Sequence, residues 1–280
     1  MSKINLSKES VEEIKEKAKE MRIKMVRMVE CAGTGHLAPA LSCAEIVATL
    51  FFNIMNFNLE NVKDEDRDRF VLSAGHKALA LYTALQLKGF FPEEILNTYC
   101  KFNSIFGGHP DASKIPGVEI STGSLGHGLP IGVGMALAGK LKNKNFKAYV
   151  LMGDGEITEG SNWEAASSAS YYKLDNLIAI IDRNGLCADG AVKDVMDIEP
   201  LKEKWTAFGW IVKEVDGHNI KELIKTFNSI PFVIKKPTMV IANTIKGKGI
   251  SFMENKYEWH NKVPSDEQFK LAYKELQTMK

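Results

Sequence analysis

The chain has 280 residues, 45% hydrophobic and 25% charged, with 36 Lys and Arg against 35 Asp and Glu for a net charge of +1. That length can bury a full core and lies within the range of one α/β domain. The charge balance offers no basic face for nucleic acid, the polar start MSKINLSKES has no apolar core of a secretory signal, and no apolar run is as long as a membrane span. The reading is a cytoplasmic protein with neither nucleic acid nor membrane as partner.

In chain order, residues 10–30 place Val11, Ile14, Ala18, Met21, Met25 and Met28 at helical spacing among Lys and Glu, an amphipathic helix whose Met stripe faces the core. After the turn AGTGH, a second helix from about Cys43 to Met55 is apolar nearly all round and should be buried. Short apolar runs then read as strands: RFVLS (69–73), AYVLM (148–152), LIAIID (177–182), WIVKEV (210–215) and TMVIANT (238–244). Helical patterns lie between them, in KALALYTALQLKG, LPIGVGMALAGKLK, NWEAASSASYYK, PLKEKWTAFG and NIKELIKTFNSI. Alternation of this kind predicts an α/β fold, a parallel sheet with helices on both faces. A last helix should start near Ser265, whose hydroxyl is placed to cap DEQFKLAYKEL. No linker divides the chain, so residues 1–280 are expected to form a single domain. The four cysteines, Cys31, Cys43, Cys100 and Cys187, are far apart with no CxxC pair and indicate neither zinc nor a disulfide framework.

The strand 148–152 runs into GDGEITEG, a glycine loop that carries acids and no base. Asp154 lies between Gly153 and Gly155, where the backbone can approach a ligand closely. The next strand ends in IDRNGL and delivers Asn184 at the same sheet edge, where ligands of such sheets bind. A carboxylate, an amide oxygen and the backbone carbonyl near Leu186 are hard ligands that suit Mg2+ or Ca2+. A divalent ion between Asp154 and a diphosphate turns repulsion into attraction. NTIKGKGIS (243–251) lacks the first glycine and the final hydroxyl of a P-loop and is expected to be a loop after the last strand.

Five of six histidines follow glycine: His36, His76, His109, His127 and His218. Neutral imidazoles in loops at one sheet edge can bind hydroxyls and phosphates and shuttle protons. His218 stands apart, because DGHNIKEL reads as a helix start capped near Asn219.

Together, GTGH, DRDRFVLSAGH, FGGHPD, STGSLGHGLPIGVGMALA, GDGEITEGSNWEA, DRNGLCADG, PLKEKWTAFGW and TIKGKGISFMENKYEWHNKVP resemble the amino-terminal half of transketolase, and most of all the separately encoded small subunit of split transketolases. The resemblance covers nearly the whole chain. It implies the diphosphate-binding domain of the thiamine diphosphate fold, with Asp154, Asn184 and the Leu186 carbonyl on Mg2+, Ca2+ or Mn2+ being possible substitutes. It also implies that His36, His76 and His109 line cofactor and sugar and act in catalysis, and that Gly123, Ser124 and Leu125 of the GSLG turn sit against the cofactor. Glu159 would belong to a network at the dimer interface, and His260 would lie near the diphosphate. The implied reaction moves a two-carbon ketol unit from a ketose phosphate to an aldose phosphate. A partner chain with the pyrimidine-binding domain would be required, in an α2β2 heterotetramer. Leu37, His127, Cys187 and Ala188 depart from the family's usual Pro, Gln, Gln and bulky aliphatic residue, which bears on substrate identity. The alternatives are a related ketol transferase for an unusual sugar phosphate and a non-catalytic subunit that keeps the fold.

Overall fold

The structure, a computed structural model, describes residues 10–279; the polar segment 1–9, read above for a signal, and residue 280 lie outside the described residues. Among the described residues no helix is long and apolar enough to cross a membrane.

Five parallel strands form one sheet: β1 (Arg69–Leu72), β2 (Ala148–Gly153), β3 (Leu177–Arg183), β4 (Ile211–Asp216) and β5 (Thr238–Asn243), in the order β1-β2-β3-β5-β4. The central strands are covered on both sides, so β2 is buried along its whole length and β3 at all but its last residue. That is why they read as unbroken apolar runs rather than alternating ones. Alternate residues feed two cores. Tyr149, Leu151, Ile178, Ile180 and Val240 face α1 (Val11–Ala32), α2 (Leu37–Ser42), α3 (Ala44–Thr49), α4 (Ala78–Leu87), α9 (Ile220–Asn228) and α10 (Asp266–Thr278). Val150, Met152, Ala179, Ile181 and Met239 face α5 (Gly128–Leu141), α6 (Gly160–Tyr171), the short α7 (Val192–Val195) and α8 (Leu201–Ala207).

The last helix starts at the Ser265 cap expected from the sequence, and the first is capped in the same way. Ser10 and Glu13 form a reciprocal capping box at α1, and Ser265 and Gln268 form another at α10, each satisfying amides that the first helical turn leaves free. The helix expected from about Cys43 to Met55 is present as α3 followed without interruption by a π-helical turn, Leu50–Ile54, and α2 precedes it as a separate piece that the sequence reading did not give. The break falls at Cys43 (φ −99°, ψ 11°). There the Ser42 hydroxyl donates to the Pro39 carbonyl at 2.8 Å and the Cys43 thiol to that of Ala40 at 3.4 Å, local bonds that compete with helical ones. All of α2 and α3 is buried, so the apolar pattern gave no sign of α2 as a helix of its own.

Candidate active site

The carboxyl ends of β2 and β3 meet in register, Gly153 beside Asp182, and the chain leaves both strands at one edge. Over that edge lies a cavity of about 380 Å3, lined by loops that follow β1, β2, β3 and β5. His36, His76, His109, Gly123, Leu125, Gly153, Asp154, Gly155, Asn184, Leu186 and His260 all line it, so it gathers all but two of the residues expected from the sequence. Those two are Ser124 and Glu159. Ser124 is exposed on the neighbouring surface with His127, and Glu159 is exposed at the start of α6.

The three acids of the glycine loop have three different surroundings. Asp154 is buried at the cavity wall; Oδ1 accepts from the Gly155 amide at 2.9 Å and Oδ2 from the Gly185 amide at 2.5 Å. Burial pushes its carboxyl up to about 6, against the pull of Lys77. Glu156 is a clamp: it accepts from the Ser73 hydroxyl and from the amides of Gly126 (2.9 Å) and Gly153 (3.1 Å), joining the ends of β1 and β2 to the GSLG turn. Glu159 packs against Gly126, where an added Cβ would fall 2.5 Å from the Glu159 Cβ. The acid of this loop that is free to meet a ligand is therefore Asp154. Gly75 has a similar purpose, since its backbone lies so close to the Thr122–Gly123 peptide that a Cβ would meet it at 2.8 Å. This contact brings His76 up to the turn.

The imidazoles form one cluster. Ring centroids are 5.7 Å apart for His36 and His76, 6.0 Å for His36 and His109, 5.4 Å for His36 and His260, and 5.1 Å for His76 and His260. Burial, reinforced by neighbouring cations, lowers the pKa of His36, lowers that of His76 well below the ordinary value, and lowers that of His260 to about 3. These three rings are neutral at pH 7, which equips them to bond hydroxyls rather than to hold charge. His36 Nδ1 is buried with no hydrogen-bond partner. His127 stands exposed at the N-cap position of α5, without a side-chain capping bond and outside the cluster. His218 is structural, as its position at the capped start of α9 suggested: its Nε2 accepts from the Ile245 amide and its Nδ1 bonds Glu45, each at 2.9 Å.

Two lysines of the cavity were not anticipated. Lys246 is buried and donates to the Leu186 and Cys187 carbonyls at 3.3 and 2.8 Å and to His260 Nδ1 at 2.9 Å. Burial lowers its pKa to about 8. Lys77 is 2% exposed and pairs with Asp182, which is 0% exposed. Each lay inside a pattern read for another purpose, Lys77 at a helix start and Lys246 in the rejected P-loop. The usable signal was a cation within a few residues of the end of an apolar strand.

The residues fit a divalent ion carrying a diphosphate. Asp154 is a buried carboxylate whose hydrogen bonds all come from backbone amides, and Asn184 and Leu186 line the same wall. Among the described residues no three His, Cys, Asp or Glu side chains converge on a metal position, so an ion held here would have one carboxylate, one amide and one carbonyl from the chain and would take its remaining oxygens from the ligand.

Comparison with known proteins agrees with the geometry. The family described as "Transketolase, thiamine diphosphate binding domain" matches residues 14–277. The chain is 46% identical to one subunit of the apulose-4-phosphate transketolase of Phocaeicola vulgatus, over 95% of this chain and 94% of that one. It is 42% identical to the 6-deoxy-6-sulfo-D-fructose transketolase subunit SqwG of a Clostridium species, over 88% of each. Against human transketolase it is 41% identical, over 91% of this chain but 40% of the human one. The crystal structure of Campylobacter jejuni transketolase superposes with a TM-score of 0.90 at 32% identity, covering 96% of this chain and 43% of that one. The chain thus spans about two fifths of the solved transketolases and nearly all of the separately encoded relatives. It belongs to the transketolase family of thiamine diphosphate-dependent transferases, through that family's cofactor-binding domain.

Proposed function

We propose that this chain is the diphosphate-holding subunit of a split transketolase and transfers a two-carbon ketol unit from a ketose phosphate to an aldose phosphate together with a partner chain. The observation that carries this reading is the cavity that joins Asp154, Asn184 and Leu186 to His36, His76, His109 and His260. The relatives matched almost end to end are named as subunits, which supports a partner that brings the pyrimidine-binding domain, in an α2β2 assembly. Their named substrates, apulose 4-phosphate and 6-deoxy-6-sulfo-D-fructose, favour an unusual acidic sugar here as well. Cys187 and Ala188, which line the cavity and depart from the usual family residues, point the same way. We place the protein in the cytoplasm, as a single domain.

Asp154, the Asn184 side chain and the Leu186 carbonyl would hold Mg2+, or Ca2+ or Mn2+ in its place, against the diphosphate, with Gly153 and Gly155 keeping the approach clear. Gly123, Ser124 and Leu125 form the turn beside it. Thiamine diphosphate, when bound, supplies the nucleophile and the electron sink for cleavage of the carbon–carbon bond. The protein contributes orientation and proton traffic. At pH 7 Lys246 is an ammonium, so His260 Nδ1 must accept from it and the proton of that ring sits on Nε2, aimed as a donor. His36 lines the cavity as a neutral ring flanked by His76 and His109 and can bond a sugar hydroxyl there. Glu159, exposed in the lone chain, is assigned to the interface between subunits.

Thiamine diphosphate at 100 times its dissociation constant, with Mg2+, should stabilise the chain by about 2.7 kcal/mol, and a chelator should remove the effect. Sugar phosphate turnover should appear only when the partner chain is added. Turnover by this chain alone would refute the split-enzyme reading, and the absence of any shift, with or without the partner, would refute the cofactor reading.

A further inference from the structure

Lys77 lines the same cavity wall as Asp154 and pairs with the buried Asp182, and no step described so far uses either. Asp182 is the next-to-last residue of β3 and pairs with Gly153, so Asp154 and Asp182 are carboxylates near neighbouring strand tips. Both are buried. Two such carboxylates side by side would by themselves form a cation site, deeper than Asn184 and the Leu186 carbonyl. Asp182 is fully engaged, however: Oδ2 accepts from Lys77 Nζ and the Ser42 hydroxyl, and Oδ1 accepts from the Thr244 hydroxyl. The ammonium also reaches the cavity side, because an added Cβ at Gly153 would meet Lys77 Cε and Nζ at 3.8 Å.

The geometry points to Lys77 as a built-in cation that fills the inner of two carboxylate positions and so leaves Asp154 alone for an exchangeable divalent ion. It is a positioning residue. With the inner place permanently taken, a divalent ion meets one carboxylate and two neutral oxygens, a weak set until a diphosphate adds its own. Metal and diphosphate then bind as a unit, at the height of Asn184 and Leu186. This inference rests on the metal reading of Asp154.

The test uses the full chain with Mn2+, whose free fraction is read by electron paramagnetic resonance, with and without inorganic pyrophosphate. Unmodified chain should bind Mn2+ weakly alone and at least tenfold more tightly with pyrophosphate. Lys77→Met should bind Mn2+ alone at least tenfold more tightly than the unmodified chain, with most of the pyrophosphate dependence gone. Lys77→Met/Asp182→Asn, which removes the pair together, should lose that gain and bind Mn2+ alone no better than the unmodified chain. Should Lys77→Met fold poorly, its unfolding midpoint should rise more with Mn2+ than that of the unmodified chain. If Lys77→Met gains no affinity for Mn2+ and no stabilisation from it, Lys77 is a structural counter-ion only and the inference is overturned. If the unmodified chain binds no Mn2+ even with pyrophosphate, the reading of Asp154 fails first and takes this one with it.

Discussion

Glu45→Gln is the change with the best-defined expected cost. Glu45 and Arg22 form a double hydrogen bond at 2.6 and 2.7 Å, with Arg22 1% exposed. Arg22 also donates to the Leu41 carbonyl at 3.0 Å and the Lys248 carbonyl at 3.1 Å. Because Ile245 N–H donates to His218 Nε2, the proton of that ring lies on Nδ1 and points at Glu45. The group thus ties α1 and α3 to the loop that carries Lys246. Burial alone would raise the Glu45 carboxyl, but Arg22 and His218 outweigh it and hold it at about 2 against an ordinary 4.5. That difference corresponds to about 3 kcal/mol. Leaving Arg22 buried without its carboxylate costs on the order of 3–5 kcal/mol, so the two routes agree near 3.

The folded-state pKa is lowered, so the stabilisation is fully present above 4.5 and is lost as pH falls from 4.5 toward 2. Urea unfolding of the unmodified chain and Glu45→Gln should therefore show a gap of about 3 kcal/mol at pH 7 that holds to pH 5 and narrows below 4.5. A gap that stays constant from pH 7 to pH 3, or one under about 1 kcal/mol at pH 7, would show that the pair is not the buried charge brace described.

Asp154→Asn should weaken Mg2+-dependent thiamine diphosphate binding by about a hundredfold or more, near 3 kcal/mol, and lower the stability of the unliganded chain by only about 1 kcal/mol, since the new NH2 replaces one of the two oxygens that accept from the Gly155 and Gly185 amides while a charge that burial disfavours is removed; calorimetry and thermal unfolding read the two arms. Gly126→Ala should cost about 2–4 kcal/mol, because φ is +80° and the new methyl would meet Glu159 and Ser161 at 2.5 and 2.7 Å; an unchanged denaturation midpoint would contradict the packing. Lys246→Met should weaken diphosphate binding by about tenfold, roughly 1.4 kcal/mol, by removing a cation and releasing His260; titration with pyrophosphate and Mg2+ measures it, and unchanged affinity would remove Lys246 from the site.

The sheet was legible because burial on both faces makes a parallel strand a plain apolar run, and every one of the five strands ends within a residue of where its run ends. Only β4, at the sheet edge, departs from this: its first four residues are partly or fully exposed, yet Ile211, Val212 and Val215 still mark it. Where everything is apolar the same logic fails. The stretch from Leu37 to Phe52 is buried throughout, so hydrophobic pattern showed neither the short α2 before Cys43 nor the π turn that ends the helix after it. At the break the Ser42 hydroxyl is shared between the Pro39 carbonyl and Asp182 from across the sheet, and the Cys43 thiol turns back to the Ala40 carbonyl, contacts made by tertiary placement that no local pattern encodes.

The site was legible where chemistry demanded a particular residue at a strand end: a carboxylate between glycines, an amide one strand over, imidazoles behind glycines. Its cations were not, because a lysine beside apolar residues ordinarily reads as a stem that carries its charge out to water. Lys77 and Lys246 instead point inward, since the sheet edge sets Asp182 in front of one and the Leu186 and Cys187 carbonyls in front of the other. Burying an ammonium is costly without such partners, and those partners come from β3 and the loop after it, far along the chain. Sequence can name the groups that touch a ligand, because the ligand's chemistry restricts them. The groups that neutralise those acids are restricted only by topology, which is why both lysines emerged once the strands were placed side by side.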